Sequence, residues 1–382
     1  MTSSDTHNTP LDALIARQRP GWSLEQPFFT SPYIFDIERR GWLAKQWFLL
    51  GHRSEAPAAG SYIVRELLGE SLIIVRDGRG VLRGFYNVCR HLGSRICDRD
   101  GKSNSLVCPY HGWGYLLDGS LRSAAALPAN IDPASLGLHP VPVREVGGLI
   151  LTSLTGSAPN ADAIAREFEA GLRFHGIPEA RVAARRSYPI HANWKLAFAK
   201  IARDIADPGQ TWKTLDTWSR ERAHPGSPLP ISDTSPTTPI CSASRAPIGA
   251  GRQTQSEDGL PVAPLMGKLT HYDGGVSLFR CEPFIFLAAL NDHAVMVRFL
   301  PAAADETRLE LTWLVNSSAR ESQVDLERMT RVWDMTVLQD KELVERNAAG
   351  IRSRAYTPGP FSELESKSAR FVSRYLGELR AP

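Results

Sequence analysis

Four side chains that commonly bind metals stand in two short pairs between residues 87 and 115. The segment reads NVCRHLGSRICDRDGKSNSLVCPYHGWGY and contains Cys-x-His at Cys89 and His91, then Cys-x-x-His at Cys108 and His111. Two thiolates and two imidazoles suit either a tetrahedral zinc ion or a 2Fe-2S cluster in which histidines replace cysteines on one iron. The pattern therefore predicts a metal centre built from two loops.

The way the ligands are paired separates these two metals. A zinc site usually takes a Cys pair from one loop and a His pair from another, whereas here each loop supplies one Cys and one His. This favours a Rieske-type 2Fe-2S cluster, with Cys89 and Cys108 on the inner iron and His91 and His111 on the outer iron. Small residues follow each pair and would let backbone N–H groups approach the bridging sulfides.

Composition limits the classes of protein that the chain can represent. Its 382 residues, 42% hydrophobic and 22% charged, are enough for two globular domains with sizeable cores. The net charge of +3 is spread along the chain, which argues against nucleic acid or an anionic membrane as a partner. Neither a signal peptide nor a membrane span is predicted. The remaining cysteines, Cys97, Cys241 and Cys281, predict no disulfide framework, so a reducing cytoplasm fits best.

The elements around the cysteines and histidines indicate an α+β protein. Residues 1–45 form a helical lead-in that should pack on the second domain, and residues 46–155 read as a small antiparallel β domain with the cluster at its loop tips. Residues 156–382 begin with a helix over 161–174 and end with a long helix over 325–350. A Pro-rich stretch at 225–264 is either a lid over a pocket, a partner contact or a disordered segment.

Several motifs together resemble a known family. Besides the Cys/His pairs they are NWK at 193–195, Gln339-Asp340 with Glu345 and Gly350 beyond it, and YTPGPFSELE at 356–365. The chain resembles the large (alpha) subunit of Rieske non-haem iron oxygenases over nearly its whole length. The resemblance implies a helix-grip (START-like) second domain in which two histidines and one carboxylate hold a mononuclear iron. It also implies trimers in which each cluster supplies electrons to the iron of a neighbouring subunit.

The sequence departs from the family at the predicted iron site. The family places both histidines on the helix after NWK, but no histidine occurs between His191 and His224. Depending on the register, the ligand positions and the acidic residue that links the iron to the neighbouring cluster fall on Ala206, Thr211 and Arg203 or on Asp207, Trp212 and Asp204. Only the third ligand remains, as Asp340, and carboxylates alone suit Mg, Ca or Mn better than an oxygen-activating iron.

Three functions follow from this pattern. The favoured one is a non-catalytic subunit that keeps its 2Fe-2S cluster and lacks the mononuclear iron. It would act as an electron-transfer and scaffolding partner of a catalytic Rieske oxygenase paralogue. The complex would be trimer-based, and a hetero-hexamer is one such assembly. A reductase or ferredoxin would supply the electrons, and Asp340 would be vestigial. The first alternative is an active monooxygenase or dioxygenase on a small organic substrate, with a metal held unusually by Asp207, Asp340 or His224. The second is a non-enzymatic binding or structural protein whose pocket is plugged by Trp212 or the lid.

The histidines outside these motifs are predicted to be surface loop residues. These are His7, His52, His139, His175, His271 and His293.

Overall fold

A computed structural model describes residues 10–125, 127–159, 161–202, 241–249 and 251–380. The helices are α1 (Pro10–Ala16), α2 (Pro27–Thr30), α3 (Pro32–Arg40), α4 (Asp162–Phe174), α5 (Trp194–Ala197), α6 (Leu326–Ile351) and α7 (Ser366–Arg380). A π-helical turn, Phe198–Ala202, continues α5. His7, Arg203, Asp204, Ala206, Asp207, Thr211, Trp212, His224 and residues 225–240 of the predicted lid lie outside the described residues.

The strands, all paired antiparallel, confirm the predicted α+β class. The strands of the first half are β1 (Phe48–His52), β2 (Ser61–Leu67), β3 (Glu70–Arg76), β4 (Leu82–Tyr86), β5 (Gly101–Lys102), β6 (Leu106–Val107), β7 (Gly114–Tyr115), β8 (Leu121–Ser123), β9 (Pro140–Val141), β10 (Val143–Val146) and β11 (Leu149–Thr152). Those of the second half are β12 (Arg181–Ile190), β13 (Cys241–Pro247), β14 (Gly275–Cys281), β15 (Ile285–Ala289), β16 (His293–Ala303) and β17 (Glu306–Val315).

Three small sheets make up the β-rich first half. A five-stranded sheet has the order β5-β2-β3-β4-β9, and two three-stranded sheets have the orders β1-β11-β10 and β6-β7-β8. The β2–β3 hairpin turns through only Leu68 and Gly69, at φ of 52° and 85°. Such a two-residue turn needs positive φ at both positions, which glycine adopts readily. The loops that follow β4 and β6 bring the predicted cluster ligands to one end of these sheets.

The second half is one six-stranded sheet with a helix on each face. Its order is β12-β17-β16-β15-β14-β13. On one face Met296 packs in the same core as Phe168 of α4, and on the other Val297 packs in the same core as Trp333 of α6. Both helices match the predicted apolar periodicity closely. Lys341 Nζ of α6 also donates to the Pro189 carbonyl of β12 at 2.7 Å, so α6 lies along that edge of the sheet.

A buried carboxylate joins the first half to the large sheet. Glu55 Oε1 accepts from Arg65 Nη2 of β2 at 2.5 Å and also from Arg185 Nη2 of β12. The two guanidiniums outweigh burial and hold the pKa of Glu55 below its ordinary value. Because a buried charge is tolerated only when it is paired, this contact ties the orientation of the two halves to a specific set of side chains.

Two sequence predictions about the segment around Cys241 differ from the structure. The predicted lid is not irregular throughout, because Cys241–Pro247 forms strand β13, whose Pro247 is tolerated at the end of a sheet-edge strand. Cys241 also faces Cys281 on β14 and is joined to it by a disulfide, whereas the sequence predicted no disulfide framework. Cys97 is free and buried.

Three histidines predicted for surface loops are buried instead. His52 Nε2 contacts the Ile177 carbonyl at 2.8 Å, His175 Nε2 contacts Ser277 Oγ at 2.8 Å, and His293 Nδ1 contacts Asp292 Oδ1 at 2.8 Å. Ile177 and Ser277 are distant in sequence from the histidines that they contact, His52 and His175. The polarity of the neighbouring residues therefore does not show that these histidines are buried. His139 and His271 are exposed, as predicted. No helix in the described ranges has the length and apolar character that a membrane span needs.

Candidate metal centres

The two loops that carry the predicted cluster ligands have the same backbone geometry. In the first, the Cys89 N–H donates to the Ser94 carbonyl at 2.9 Å and the Gly93 N–H donates to the Cys89 carbonyl at 3.0 Å. In the second, the Cys108 N–H donates to the Trp113 carbonyl at 2.8 Å and the Gly112 N–H to the Cys108 carbonyl at 3.0 Å. Each loop therefore turns back on its own cysteine over the same number of residues.

A glycine four residues after each cysteine makes this turn feasible. Gly93 has φ of 78° and Gly112 has φ of 70°, a left-handed conformation that other residues adopt rarely. A Cβ added at either position would meet no atom within 4 Å, so it is the backbone conformation that favours glycine. The two loops thus face each other as similar halves of one site.

The ligand side chains meet between these loops with a buried side and an exposed side. Cys89 and Cys108 are 2% and 3% exposed, whereas His91 and His111 are exposed to solvent. The ring centroids of His91 and His111 lie 4.8 Å apart, and the Trp113 ring stacks on the His91 ring with a centroid distance of 4.8 Å. Within the described parts of the chain, no three His, Cys, Asp or Glu side chains converge on a single ion position. A 2Fe-2S cluster needs two ligands on each iron and does not require such convergence.

Hydrogen bonds favour the thiolate form of Cys108 at the buried side. Burial raises the pKa of Cys108, but hydrogen bonds from the Tyr110 N–H, the Cys89 side chain, the His111 N–H and Ser94 outweigh it, so its pKa is lowered overall. Tyr115 is fully buried, and its Oη lies 3.3 Å from Cys89 Sγ while accepting from the Arg90 N–H at 2.9 Å. The phenol therefore has its hydroxyl hydrogen available for the sulfur. Burial and this contact raise the pKa of Tyr115, so the hydroxyl remains protonated.

Asn87 holds the first loop from behind. Its Nδ2 donates to Ser71 Oγ at 3.1 Å and to the Cys97 carbonyl at 2.6 Å, and its Oδ1 accepts from the Ile96 and Cys97 N–H groups. A buried amide that is satisfied on both ends fixes the backbone on either side of the ligand pair. The sequence pattern predicts no role for either Asn87 or Tyr115. They are the first and last residues of the quoted segment, but only the folded chain shows what they contact.

The second predicted metal position is a buried ion pair. Asp340 is 2% exposed on α6, and its Oδ1 accepts from Lys200 Nζ at 2.8 Å. Lys200 lies on the π-helical turn after α5, which packs against α6. Lys200 is not predicted from the sequence, since nothing in its local pattern marks it as a partner of a residue 140 positions away.

The donor set at Asp340 can be compared with what an oxygen-activating iron requires. That chemistry uses two imidazoles and one carboxylate with open positions. Among the described residues Asp340 supplies one carboxylate, which a lysine engages, and no further His, Cys, Asp or Glu joins it in a three-residue metal cluster. The described residues therefore do not fit the iron by themselves, and Asp207 and His224 lie outside them.

Family comparisons match both halves of the chain. Residues 46–141 match the Rieske [2Fe-2S] domain, and residues 224–379 match the catalytic domain of the ring hydroxylating alpha subunit. The glycine betaine monooxygenase oxygenase subunit of Chromohalobacter salexigens is 34% identical over 373 residues, which cover 91% of this chain and 83% of that protein. The carnitine monooxygenase oxygenase subunit of Escherichia coli K12 is 35% identical over 191 residues, covering 47% of this chain and 50% of that protein.

Solved structures share the fold. The quaternary ammonium Rieske monooxygenase CntA in complex with its substrate L-carnitine has a TM-score of 0.70 and 21% identity, covering 97% of this chain and 99% of that one. Together with the two domain matches, this defines the class of protein as a Rieske domain followed by a ring-hydroxylating catalytic domain. The chain belongs to the family of Rieske oxygenase alpha subunits.

These comparisons correct the favoured prediction of function. A non-catalytic electron-transfer and scaffolding component is the wrong class, because the relatives are named as the oxygenase subunits of monooxygenases and CntA is described with substrate bound. The predicted absence of the mononuclear iron and the predicted catalytic paralogue find no support either. The prediction rested on a few positions after NWK, whereas a metal site is assembled from residues that can lie far apart in sequence.

Proposed function

We propose that the chain is the oxygenase subunit of a Rieske monooxygenase that oxidises a small quaternary ammonium compound of the glycine betaine type. The observation that carries this proposal is the 34% identity with a glycine betaine monooxygenase oxygenase subunit over 91% of the chain. The identity extends through the half that carries the predicted cluster and the half that carries Asp340. A shared substrate class is the simplest reason for a likeness of that extent.

In this proposal Cys89, His91, Cys108 and His111 hold the cluster. The buried thiolates anchor it, and the exposed imidazole edge is the side on which electrons arrive and leave. A reductase or ferredoxin supplies those electrons, and neighbouring copies of the chain assemble so that a cluster serves a neighbouring catalytic domain. Leu92 and Tyr110, each 63% exposed beside the histidines, give that edge an apolar rim suited to a protein partner. A cytoplasmic location remains a prediction.

A mononuclear iron, when bound, would supply the activation of oxygen. Asp340 is the proposed carboxylate donor, and Asp207 and His224 are the further candidates in this sequence. The contribution that can be derived for the described residues is electrostatic. Asp340 is buried on a helix that packs along the large sheet, so its negative charge is fixed at one point and has to be paired with a cation, which is the Lys200 ammonium in the described part of the chain.

The substrate class can be tested in a single turnover without the native reductase. The purified protein is reduced with dithionite, freed of excess reductant, and mixed with oxygen and one of three compounds: glycine betaine, L-carnitine or 3,3-dimethylbutanoate. The last has the shape of glycine betaine but carries carbon in place of the cationic nitrogen. Hydroxylation of an N-methyl group yields a carbinolamine that breaks down to formaldehyde and a tertiary amine, both measurable by mass spectrometry.

We expect an oxidised product from a quaternary ammonium compound and none from 3,3-dimethylbutanoate, because only the former carries a cationic nitrogen. His111→Ala, which removes a proposed cluster ligand, should abolish product formation. Equal oxidation of the quaternary ammonium compounds and 3,3-dimethylbutanoate would contradict the proposed substrate class. Oxidation of none of them by protein with an intact cluster would contradict the proposed function.

A further inference from the structure

The ion pair between Lys200 and Asp340 lies where the resemblance drawn from the sequence motifs predicts a metal ligand. Lys200 Nζ lies 2.8 Å from Asp340 Oδ1, and the side chains are 17% and 2% exposed. The contact is therefore largely withdrawn from water. An ammonium group and a metal dication satisfy a buried carboxylate in the same way, by placing positive charge against its oxygen.

Local helix geometry explains how the lysine reaches this position. Asn193 caps the N-terminus of α5, accepting from the Lys195 N–H at 3.1 Å, and the helix changes to π-helical hydrogen bonding at Phe198. The wider turn shifts the direction of the side chains that follow, compared with an uninterrupted α-helix. Phe198 packs into the core against Phe371 at 4.9 Å, while Lys200, two residues further on, reaches Asp340.

We propose that the Lys200 ammonium acts as a built-in cation at Asp340, and that a divalent metal binds Asp340 only when this ammonium moves away. Two cations cannot share one carboxylate oxygen in a buried site without strong mutual repulsion. The lysine thus keeps Asp340 charge-compensated in the metal-free protein and lowers the affinity of the site for metal. This inference concerns the same site as the proposed function, but it does not depend on any substrate.

Cobalt(II) is a suitable probe because its binding can be counted without turnover. Protein treated with a chelator is dialysed against a series of free Co²⁺ concentrations, and cobalt and iron are both counted by mass spectrometry. The iron count shows that the 2Fe-2S cluster is still present. Lys200→Met removes the ammonium and keeps most of the side-chain bulk, and we expect it to raise the cobalt affinity at least tenfold.

Two variants show whether the gain arises at Asp340. Lys200→Met combined with Asp340→Asn should lose the added affinity, because the carboxylate that would receive the metal is gone. Lys341→Met is the matched control, since Lys341 is a lysine next to Asp340 in sequence that pairs with Glu345 Oε1 at 2.7 Å instead. It removes an equal charge from the helix that carries Asp340 and should leave the cobalt affinity unchanged.

Each outcome of the cobalt assay either supports the proposal or overturns it. A tenfold or larger gain in Lys200→Met that disappears with Asp340→Asn supports the proposal. An unchanged or weaker affinity in Lys200→Met, an equal gain in Lys341→Met, or no cobalt bound through Asp340 in any variant would overturn it. If Lys200→Met loses cluster iron, Lys200→Gln replaces it in the same assay. The cobalt assay contains no substrate, so its failure contradicts only the proposed role of Lys200. Failure of the turnover assay contradicts the proposed function.

Discussion

At the scale of single residues, Tyr115 is placed to change the reduction potential of the proposed cluster. Its hydroxyl lies 3.3 Å from Cys89 Sγ, and its oxygen is already engaged by the Arg90 N–H. A hydrogen bond to a cluster sulfur stabilises the reduced state, which carries one more negative charge than the oxidised state. The phenol should therefore raise the reduction potential of the cluster.

Tyr115→Phe is predicted to lower the reduction potential by on the order of 20–60 mV, the equivalent of one modest hydrogen bond for a one-electron couple. A redox titration followed by electron paramagnetic resonance measures it. Tyr62→Phe is the matched control, because Tyr62 interacts with Cys97, which is not a proposed ligand. A Tyr115→Phe potential equal to that of the wild type would show that the phenol does not act on the cluster.

A second prediction at the residue scale concerns His175 and the stability of the fold at acid pH. Burial and the nearby Arg245 lower the pKa of His175 to about 4, against an ordinary value of 6.5. As the pH falls from 6.5 towards 4, the unfolded chain therefore binds a proton that the folded chain does not. This group should cost the protein stability over that window, by up to about 3 kcal/mol at its acid end.

His175→Gln should accordingly flatten the decrease of the melting temperature between pH 7 and pH 5, although it also lowers stability at pH 7 by disturbing the contact with Ser277. His271→Gln changes an exposed histidine and should leave the pH dependence as in the wild type. A slope that stays the same in His175→Gln would exclude His175 as a source of acid sensitivity.

At the scale of elements, one buried carboxylate joins three helices that are far apart in sequence. Glu38 of α3 is fully buried and accepts from Lys195 Nζ at 2.6 Å and Trp194 Nε1 at 2.9 Å, both on α5, and from Tyr375 Oη on α7. The Lys195 ammonium also lies 5.0 Å from the Tyr375 ring centroid. The NWK motif is thus explained in part as the point where both ends of the chain attach to the second domain.

Glu38→Gln is predicted to destabilise the protein by roughly 3–5 kcal/mol, because it leaves the Lys195 ammonium buried without its countercharge. Chemical denaturation measures the loss, and hydrogen exchange should show it first in α7. Glu25→Gln removes a carboxylate from a solvent-accessible pair with Arg17 and should change stability far less than Glu38→Gln does, because water screens an exposed ion pair. Adding Lys195→Met to Glu38→Gln should restore part of the loss. A Glu38→Gln protein as stable as Glu25→Gln would contradict this role.

At the scale of the whole molecule, the sequence predicts best what depends on local periodicity. The apolar spacing of Ile164, Phe168 and Leu172 predicts α4, and a similar pattern predicts α6 to within a residue at each end. The Cys/His spacing predicts which side chains meet between two loops. These features succeed because each is decided by residues within one or two turns of each other.

Features that depend on distant partners could not be predicted in this way. Cys241 meets Cys281 through strand pairing, and Lys200 meets Asp340 through the packing of a helical turn on α6. The failed prediction of a non-catalytic subunit has the same origin. That prediction inferred the loss of activity from missing histidines at positions counted from NWK, although the protein is similar to a monooxygenase subunit over 91% of its chain.

The central claim, that this chain is itself the oxygenase, is tested most directly by counting product in one turnover of the chain alone. The protein is first shown by mass to contain a single kind of polypeptide, then reduced and exposed to oxygen with glycine betaine. A monooxygenation consumes two electrons and one cluster stores one, so clusters acting alone yield about one half of a product molecule per cluster. We predict product at about that level or above, up to about one per cluster if a bound metal supplies the second electron. No product from a chain whose clusters are intact and fully reduced would contradict the claim.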